Sequence, residues 1–459
     1  RDGEARTDAK GAFRLDGVPP GKHRVQVVAP KYAPLEADAE VREGMVTELT
    51  LAVSPLEVNP YETVVRGERE QEVVARYTLS QREMTTVPGT FGDPVRVIQN
   101  LPGMARSPYV LGLLLVRGSY PGDSAVYLDG VKVPLIYHFF GGPSILNPQL
   151  LERIDFMPGN FGARYGSATG GIVEVQTSSE VPEVWHGMAD VNLFFASGYV
   201  EAPLTKGVVL KAGLRRSYYD LVIPIAMKLA GADGASVVPV YYDYQARLDV
   251  DLAGDDHVSV FAFGSDDALA VATTDTRTAQ DIDVGTRTSF HRLTASHLWH
   301  ATPTLTNRVT PVLGIDIGTF DAGESSASAW ALTAGLRDDL SWRVHPRFEL
   351  RPGLEFRWVR YRYTMDVPGM RDYVVPGEDV TRNLFAEGGF DENSDRQQLT
   401  RTIDGFEVAP YVEAVWTPWD RLKVIPGVRF STWFHQGRTR WAIDPRLNVR
   451  VDVGWDTTL

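Results

Sequence analysis

Cysteine is absent from the 459 residues, which excludes a disulfide framework, a thiolate nucleophile and any zinc or iron–sulfur site built on sulfur. Long apolar runs are absent too. The nearest, Tyr109 to Val116, falls well short of the ~18 residues a membrane helix needs. That excludes a helical membrane protein and leaves a membrane β-barrel open. Basic residues are in deficit: 46 Lys and Arg stand against 59 Asp and Glu, a net charge of −13, so no nucleic-acid partner is expected. The chain opens at Arg1 without a methionine or a signal segment, and its true start is expected upstream. His-Glu-x-x-His, a nucleophile elbow and paired catalytic carboxylates are all missing, so neither an enzyme nor a cofactor is expected. The hydrophobic fraction of 43% is ordinary and can build a core.

What is present divides into four stretches. Residues 1–56 read as a small β-sandwich. Gly11 to Leu15, His23 to Val28 and Met45 to Leu51 are strand-like, and Val18-Pro19-Pro20-Gly21 supplies a turn. Residues 57–79 read as a linker. Inside it a short β-prone run, Glu62-Thr63-Val64-Val65-Arg66, lies between Asn59-Pro60 and a charged cluster. Such a run is either an extended segment awaiting a partner strand or plain linker. Residues 80–178 form a Gly- and Pro-punctuated α+β region. Pro94 to Leu101 is expected to be a short helix with proline in its first turn. Strands are expected at 114–118, 125–131, 150–156 and 172–177, with Asp129-Gly130 as a hairpin turn. The glycines between Gly159 and Gly171 do not cradle a phosphate, because neither a helix pattern nor a Walker lysine follows them.

From 179 to 459 the chain alternates with period two over long stretches. Tyr242, Tyr244, Ala246, Leu248, Val250 and Leu252 share one face; Asp243, Gln245, Arg247, Asp249 and Asp251 share the other. The pattern returns around Val309–Ile317, Val408–Trp416, Leu422–Phe430 and Trp441–Val453. A soluble sandwich also alternates, but three features favour a membrane barrel. The runs are long enough for the ~9–11 residues of a crossing, and the polar face carries charges of both signs. The apolar face is expected to end in girdle aromatics at Trp342, Trp358, Trp416, Trp419, Trp433, Trp441 and Trp455. Charge is expected to be kept off that face. Overall the chain is expected to be mainly β: a small sandwich, an α+β domain, and the amino-terminal part of a large antiparallel transmembrane barrel.

Five segments then go beyond periodicity. Leu101-Pro102-Gly103, Val116-Arg117-Gly118, Val126 to Val131, Leu146-Asn147-Pro148 with Leu151-Glu152-Arg153-Ile154, and Ala163-Arg164-Tyr165-Gly166 with Thr169-Gly170-Gly171-Ile172 stand in order. Together they resemble the plug domain of TonB-dependent outer-membrane receptors. Arg117, Gly118, Asp129, Gly130, Glu152, Arg164, Tyr165, Gly166, Gly170 and Gly171 carry the signature. Glu62 to Arg66 resembles the TonB box, although Arg66-Gly67 is unusual there. Residues 1–56 resemble a carboxypeptidase-regulatory-like domain, a fold that is not itself catalytic.

The resemblance implies a place in a bacterial outer membrane, in contact with its lipid. It implies a plug inside a ~22-strand barrel and the energy-transducing protein TonB as partner, pairing with the box as an added strand. It implies import of a scarce, bulky ligand such as a ferric siderophore, a vitamin or an oligosaccharide; for a glycan, a surface lipoprotein is a further candidate partner. About half of such a barrel fits in the residues present, so a fragment is expected. A barrel that serves as a surface-assembly or signalling platform without transporting is the alternative.

Tyr109, Tyr120, Tyr137, His138 and Phe139 are candidate ligand contacts on plug loops, with plain packing as the rival for Phe139 and Phe140. Arg117 and Arg164 are expected to form structural ion pairs. No metal site is expected: His138 lacks a second ligand at useful spacing, and Asp391 to Asp395 lacks the glycine and closing Glu of a calcium loop.

Overall fold

The structure is a computed structural model. It describes residues 76–90, 92–105, 114–139, 142–192, 194–229, 231, 236–275, 280–323, 325–368, 396–454 and 457–458, and before residue 76 only 5, 7, 13, 15, 17–27, 35–42, 44, 46, 47, 49 and 51. Two compact units are present, residues 1–71 and 72–459. In the first, β1 (Gly21–Val27) pairs antiparallel with β2 (Leu35–Val41). Leu35, Ala37, Ala39 and Val41 alternate along β2, a pattern that Glu and Asp between them hid from the sequence reading. Phe13 and Leu15, expected in a strand, are not in one, and most of the remaining expected strands lies outside the described residues.

The second unit opens with β3 (Tyr77–Ser80) and α1 (Gln81–Thr86), where Ser80 and Glu83 form a reciprocal capping box. The expected helix is α2 (Pro94–Ile98), started by Asp93, whose carboxylate accepts from the Val95 and Arg96 amides. Next come β4 (Met104–Ala105), β5 (Leu115–Val116), β6 (Ala125–Leu128), β7 (Val131–Lys132), β8 (Leu151–Met157) and β9 (Ile172–Thr177). Five of these strands form one mixed sheet in the order β3-β8-β9-β6-β7. Asp129 and Gly130, both at positive φ (49° and 80°), make the β6–β7 turn. Met84, Val95, Ile98, Leu150, Ile154, Phe156, Val173 and Val175 close its core.

The remaining strands make one antiparallel sheet in sequence order: β10 (His186–Val191), β11 (Phe195–Thr205), β12 (Val208–Ser217), β13 (Ser236–Asp251), β14 (His257–Asp275), β15 (Gln280–Thr302), β16 (Leu305–Ala322), β17 (Ser325–His345), β18 (Phe348–Pro368), β19 (Arg396–Trp419), β20 (Leu422–His435), β21 (Arg438–Gly454) and β22 (Thr457–Thr458). The short connections at 206–207, 303–304, 346–347 and 420–421 define a turn rim. The opposite loop rim carries longer connections, including α3 (Tyr219–Leu229). No helix among the described residues is long and apolar enough to cross a membrane, which says nothing against crossing by strands.

The two faces of this wall follow the expected alternation. Leu293, Leu313, Ile315, Leu336, Ile443 and Leu447 stand exposed on the outward face, while Asp243, Gln245, Arg247 and Asp249 are buried on the inward one. Exposed Trp299, Trp342, Trp416 and Trp419 band the turn rim, with Phe406, Phe434 and Trp441 toward the loop rim. Three corrections apply. Trp433 pairs with inward Glu407 and Arg440, so it faces the interior and not lipid. Asp338 breaks the avoidance of outward charge: it lies between Val309 and Leu354, and one of its carboxylate oxygens has no hydrogen-bond partner. The inward face is not uniformly polar either, since Phe261, Phe263 and Phe290 join the plug core. Trp455 is outside the described residues.

Water cannot solvate a charge on the outward face in lipid. Leu313→Arg should therefore destabilise the folded full-length barrel by about 2–4 kcal/mol, read by denaturant titration in lipid vesicles.

Candidate functional site

The site is the contact between the small mixed sheet and the inward face of the wall. It is clearest along β13, where successive inward residues each hold a different piece of the domain. Nearest the turn rim, Arg247 donates to Asp129 at 2.7 Å and to the Thr177 hydroxyl at 2.7 Å, while Asp249 accepts its remaining donors. Asp129 in turn accepts from the Thr177 amide and hydroxyl, so one turn, one strand end and one wall arginine share a network. Gln245 accepts from the Asn147 amide at 3.2 Å and donates to the Ile145 carbonyl at 2.5 Å. Asp243 meets His138 at 3.1 Å and Arg215 at 2.6 Å, and Tyr241 stacks on the His138 ring. Period two along one strand thus becomes a ladder of attachment points.

Farther round the wall, arginines grip main chain. Arg337 donates to the carbonyls of Gly130 and Arg164, both at 3.1 Å. Arg429 reaches the Arg164 carbonyl at 3.4 Å and pairs with Glu355 at 2.7 Å. Arg446 donates to the carbonyls of Phe161 and Gly162. The glycines here are needed for approach. A Cβ on Gly162 would sit 2.5 Å from a Glu413 oxygen, and one on Gly166 would sit 2.5 Å from Arg429 Nε. Wall side chains can reach this backbone only because the segment has no side chains at those two points.

Among the signature residues, Arg164 lies 3.7 Å from Asp339 of the wall and its guanidinium carbon 5.1 Å from the Tyr165 ring centroid. Arg117 makes no ion pair among the described residues. It adopts φ 50°, its amide bonds the Gly103 carbonyl, and Gly118 follows at φ 77°. Glu152 is exposed beside Arg153, and Gly170 and Gly171 pack against Ser119, Ser124 and Val116.

The candidate ligand contacts are scattered. Tyr120 is exposed (74%), whereas Tyr137 is buried and His138 has no exposed surface. Tyr137 and His138 therefore do not top an open loop; both are packing or anchoring residues, because their loop is pressed against the wall. Phe139 is half-buried. Tyr109, Phe140, the Glu62–Arg66 segment and the acidic run Asp391–Asp395 lie outside the described residues. The wall partners Arg247, Arg337, Arg429 and Arg446 were not singled out in the sequence, although their inward register could have flagged them.

A cavity of about 260 Å³ lies between the β6–β7 hairpin and the wall. Its lining includes the cations Lys132, Arg292, Arg337, Arg357 and Arg429 against Asp316, Glu355 and Glu407. Partial desolvation by the cavity wall, with Arg357 next, pulls the Lys132 ammonium below its ordinary pKa. Lys132 donates only a long bond, 3.4 Å, to the Ser167 carbonyl. Arg292, Arg337, Arg357 and Arg429 are each paired with an acid, which leaves Lys132 as the lining cation without an ion pair among the described residues. No cluster of metal-ligating side chains occurs among the described residues.

Comparison with known proteins matches residues 70–173 to the TonB-dependent receptor plug domain and residues 1–54 to the carboxypeptidase regulatory-like domain. No curated protein matches the sequence. Among solved structures, the chain is similar to the ferric enterobactin receptor of Pseudomonas aeruginosa, at TM-score 0.57 and 15% identity, covering 84% of this chain and 62% of that one. It is similar to the FrpB iron transporter of Neisseria meningitidis, at TM-score 0.59 and 12% identity, covering 83% and 63%. It is also similar to the outer membrane transporter YddB of Escherichia coli, at TM-score 0.57 and 10% identity, covering 82% and 59%. At such identities the likeness is one of fold, and the chain spans less than two thirds of each of these structures.

Removing one partner from a buried charge pair typically costs about 3–5 kcal/mol. Arg247→Ala should therefore expose the Asp129–Gly130 turn and the end of β9, seen as faster hydrogen exchange there than in the β13–β14 pairing.

Proposed function

We propose, starting from a chain that has the plug and barrel of the TonB-dependent outer-membrane receptors, that the whole protein is a transporter of the bacterial outer membrane. In this reading it binds a scarce, bulky ligand and admits it when a partner rearranges the plug. The observation that carries the reading is the plug seated on the inward face of the wall and held there by wall charges on plug backbone. A pore filled in this way does not open by diffusion of its plug, since several charge-assisted bonds must break together. Work has to come from outside the chain. The TonB-box-like segment Glu62 to Arg66 is the natural handle, because a β-strand added to a partner transmits tension through main-chain bonds. The chemistry is conformational, so the protein acts as a transporter and not as an enzyme.

Lys132, the cavity cation without an ion pair among the described residues, supports a ligand that carries negative charge, and ferric chelates belong to that class. One of the similar structures is a ferric enterobactin receptor and another an iron transporter. No observation favours an oligosaccharide ligand or a surface lipoprotein partner.

Deleting residues 62–66 from the full-length protein should abolish energised uptake while ligand binding to whole cells persists. Uptake that continues unchanged after the deletion would reject partner-driven transport and favour a platform role.

A further inference from the structure

His138 is the one histidine of the plug, and it is wholly buried. Its ring is clasped by two wall strands. Nδ1 lies 2.5 Å from Asp267 of β14, and Nε2 lies 3.1 Å from Asp243 of β13. A carboxylate can only accept, so an imidazole that serves two carboxylates must donate from both nitrogens, which is the protonated form. Charge balance agrees. Arg215 of β12 donates to the same Asp243 at 2.6 Å, so two cations meet two carboxylates with the proton in place, and a buried negative charge is left over without it.

The residues around His138 are built for the same hold. The next amide, Phe139, donates to Asp267 at 3.2 Å, and Phe139 takes φ 36° to do so. The loop is then shut by Gly142, whose amide bonds the His138 carbonyl at 2.6 Å; a Cβ there would collide with that same oxygen at 2.6 Å. The His138 amide bonds the Pro143 carbonyl, and the Ile145 amide the Ile136 carbonyl. Arg215 also grips the Ser144 carbonyl, while the Ser144 amide bonds Asp93 at the start of α2. Tyr241 covers one ring face, with Tyr219 of α3 behind it. The titratable and charged groups facing the imidazole are therefore Asp243, Asp267, Arg215 and Tyr241 from the wall. Asp93 and the buried Tyr137 lie on the plug side.

We propose that His138 is a proton-dependent positioning residue: its imidazolium fastens plug residues 136–139 and 142–145 to β13 and β14, and loss of that proton lets them go. Nothing in this depends on which ligand the protein takes, or on transport itself. The sign follows from the surroundings. Burial alone would drive the proton off, but the bonds to Asp243 and Asp267 outweigh it and hold the pKa above the ordinary histidine value. The clasp is therefore intact at acid and neutral pH, and it is lost as pH rises through that raised value.

The test is hydrogen exchange on the full-length protein in detergent or lipid, from about pH 6 to about pH 10. The amides of His138, Gly142 and Ile145 are read against those of Val173 and Val175 in β9, so that the intrinsic pH dependence of exchange cancels. In the unsubstituted protein the ratio should stay flat at low pH and rise at the alkaline end. His138→Gln should raise the ratio about a hundredfold at every pH. Combining it with Asp267→Asn, which removes the orphaned charge, should restore protection and abolish the pH dependence. A ratio flat across the whole range in the unsubstituted protein would overturn the proposal, as would His138→Gln behaving like the parent. Should His138→Gln fail to fold, the titration of the unsubstituted protein and the double variant still decide.

Discussion

Lipid offers no hydrogen-bond partner and no solvation for charge, and this constraint organises the second unit. It forces the wall to be a sheet whose backbone is satisfied strand to strand, and it drives charged side chains onto the inward face. Those inward charges then need partners of their own. Some pair along the wall, as Arg292 does with Asp316 and Arg357 with Glu407. Many of the rest are satisfied by the domain folded before the wall. Plug and wall are thus complementary because each removes the other's unpaired polar groups.

The form of that complementarity matters for how the parts could move. Arg337, Arg429 and Arg446 grip carbonyls, and Ala163 offers its amide to Glu413. Attachment through the main chain requires close approach, which explains the glycines at 162 and 166 better than turn conformation does. Side-chain anchors are of a different kind: the Asp129–Arg247 pair beside Thr177, Arg164 near Asp339, and His138 between two aspartates. An array of charge-assisted bonds thus holds the plug firmly on the wall.

Outside the hydrocarbon zone the outward face changes character. Arg216 with Asp220, Arg287 with Asp266 and Arg360 with Asp404 form ion pairs on the loop-rim half of the wall, beside Tyr242 and Trp358. Paired charges next to amphipathic rings suit a headgroup boundary, where one side of each ring is wet and the other apolar. The strands run past the height a bilayer requires: a crossing takes ~9–11 residues, and β14 to β19 have 18 to 24.

The sequence by itself determined the architecture. Period-two alternation placed Asp243 to Asp251 inward and Tyr242 to Leu252 outward, and the Asp129-Gly130 pair and Pro94 marked a hairpin and a helix start, because these signals are local. The face of Trp433 was misread, and Asp338 runs against the expected absence of outward charge. Tertiary structure alone decided the partners: that His138 meets residues 105 and 129 positions away, that Arg247 meets Asp129, that Phe261, Phe263 and Phe290 complete the plug core. A histidine in a loop reads as a candidate contact until its neighbours are known. Register within a strand is written residue by residue, whereas which wall strand lies beside which plug loop depends on how plug and wall fill one space.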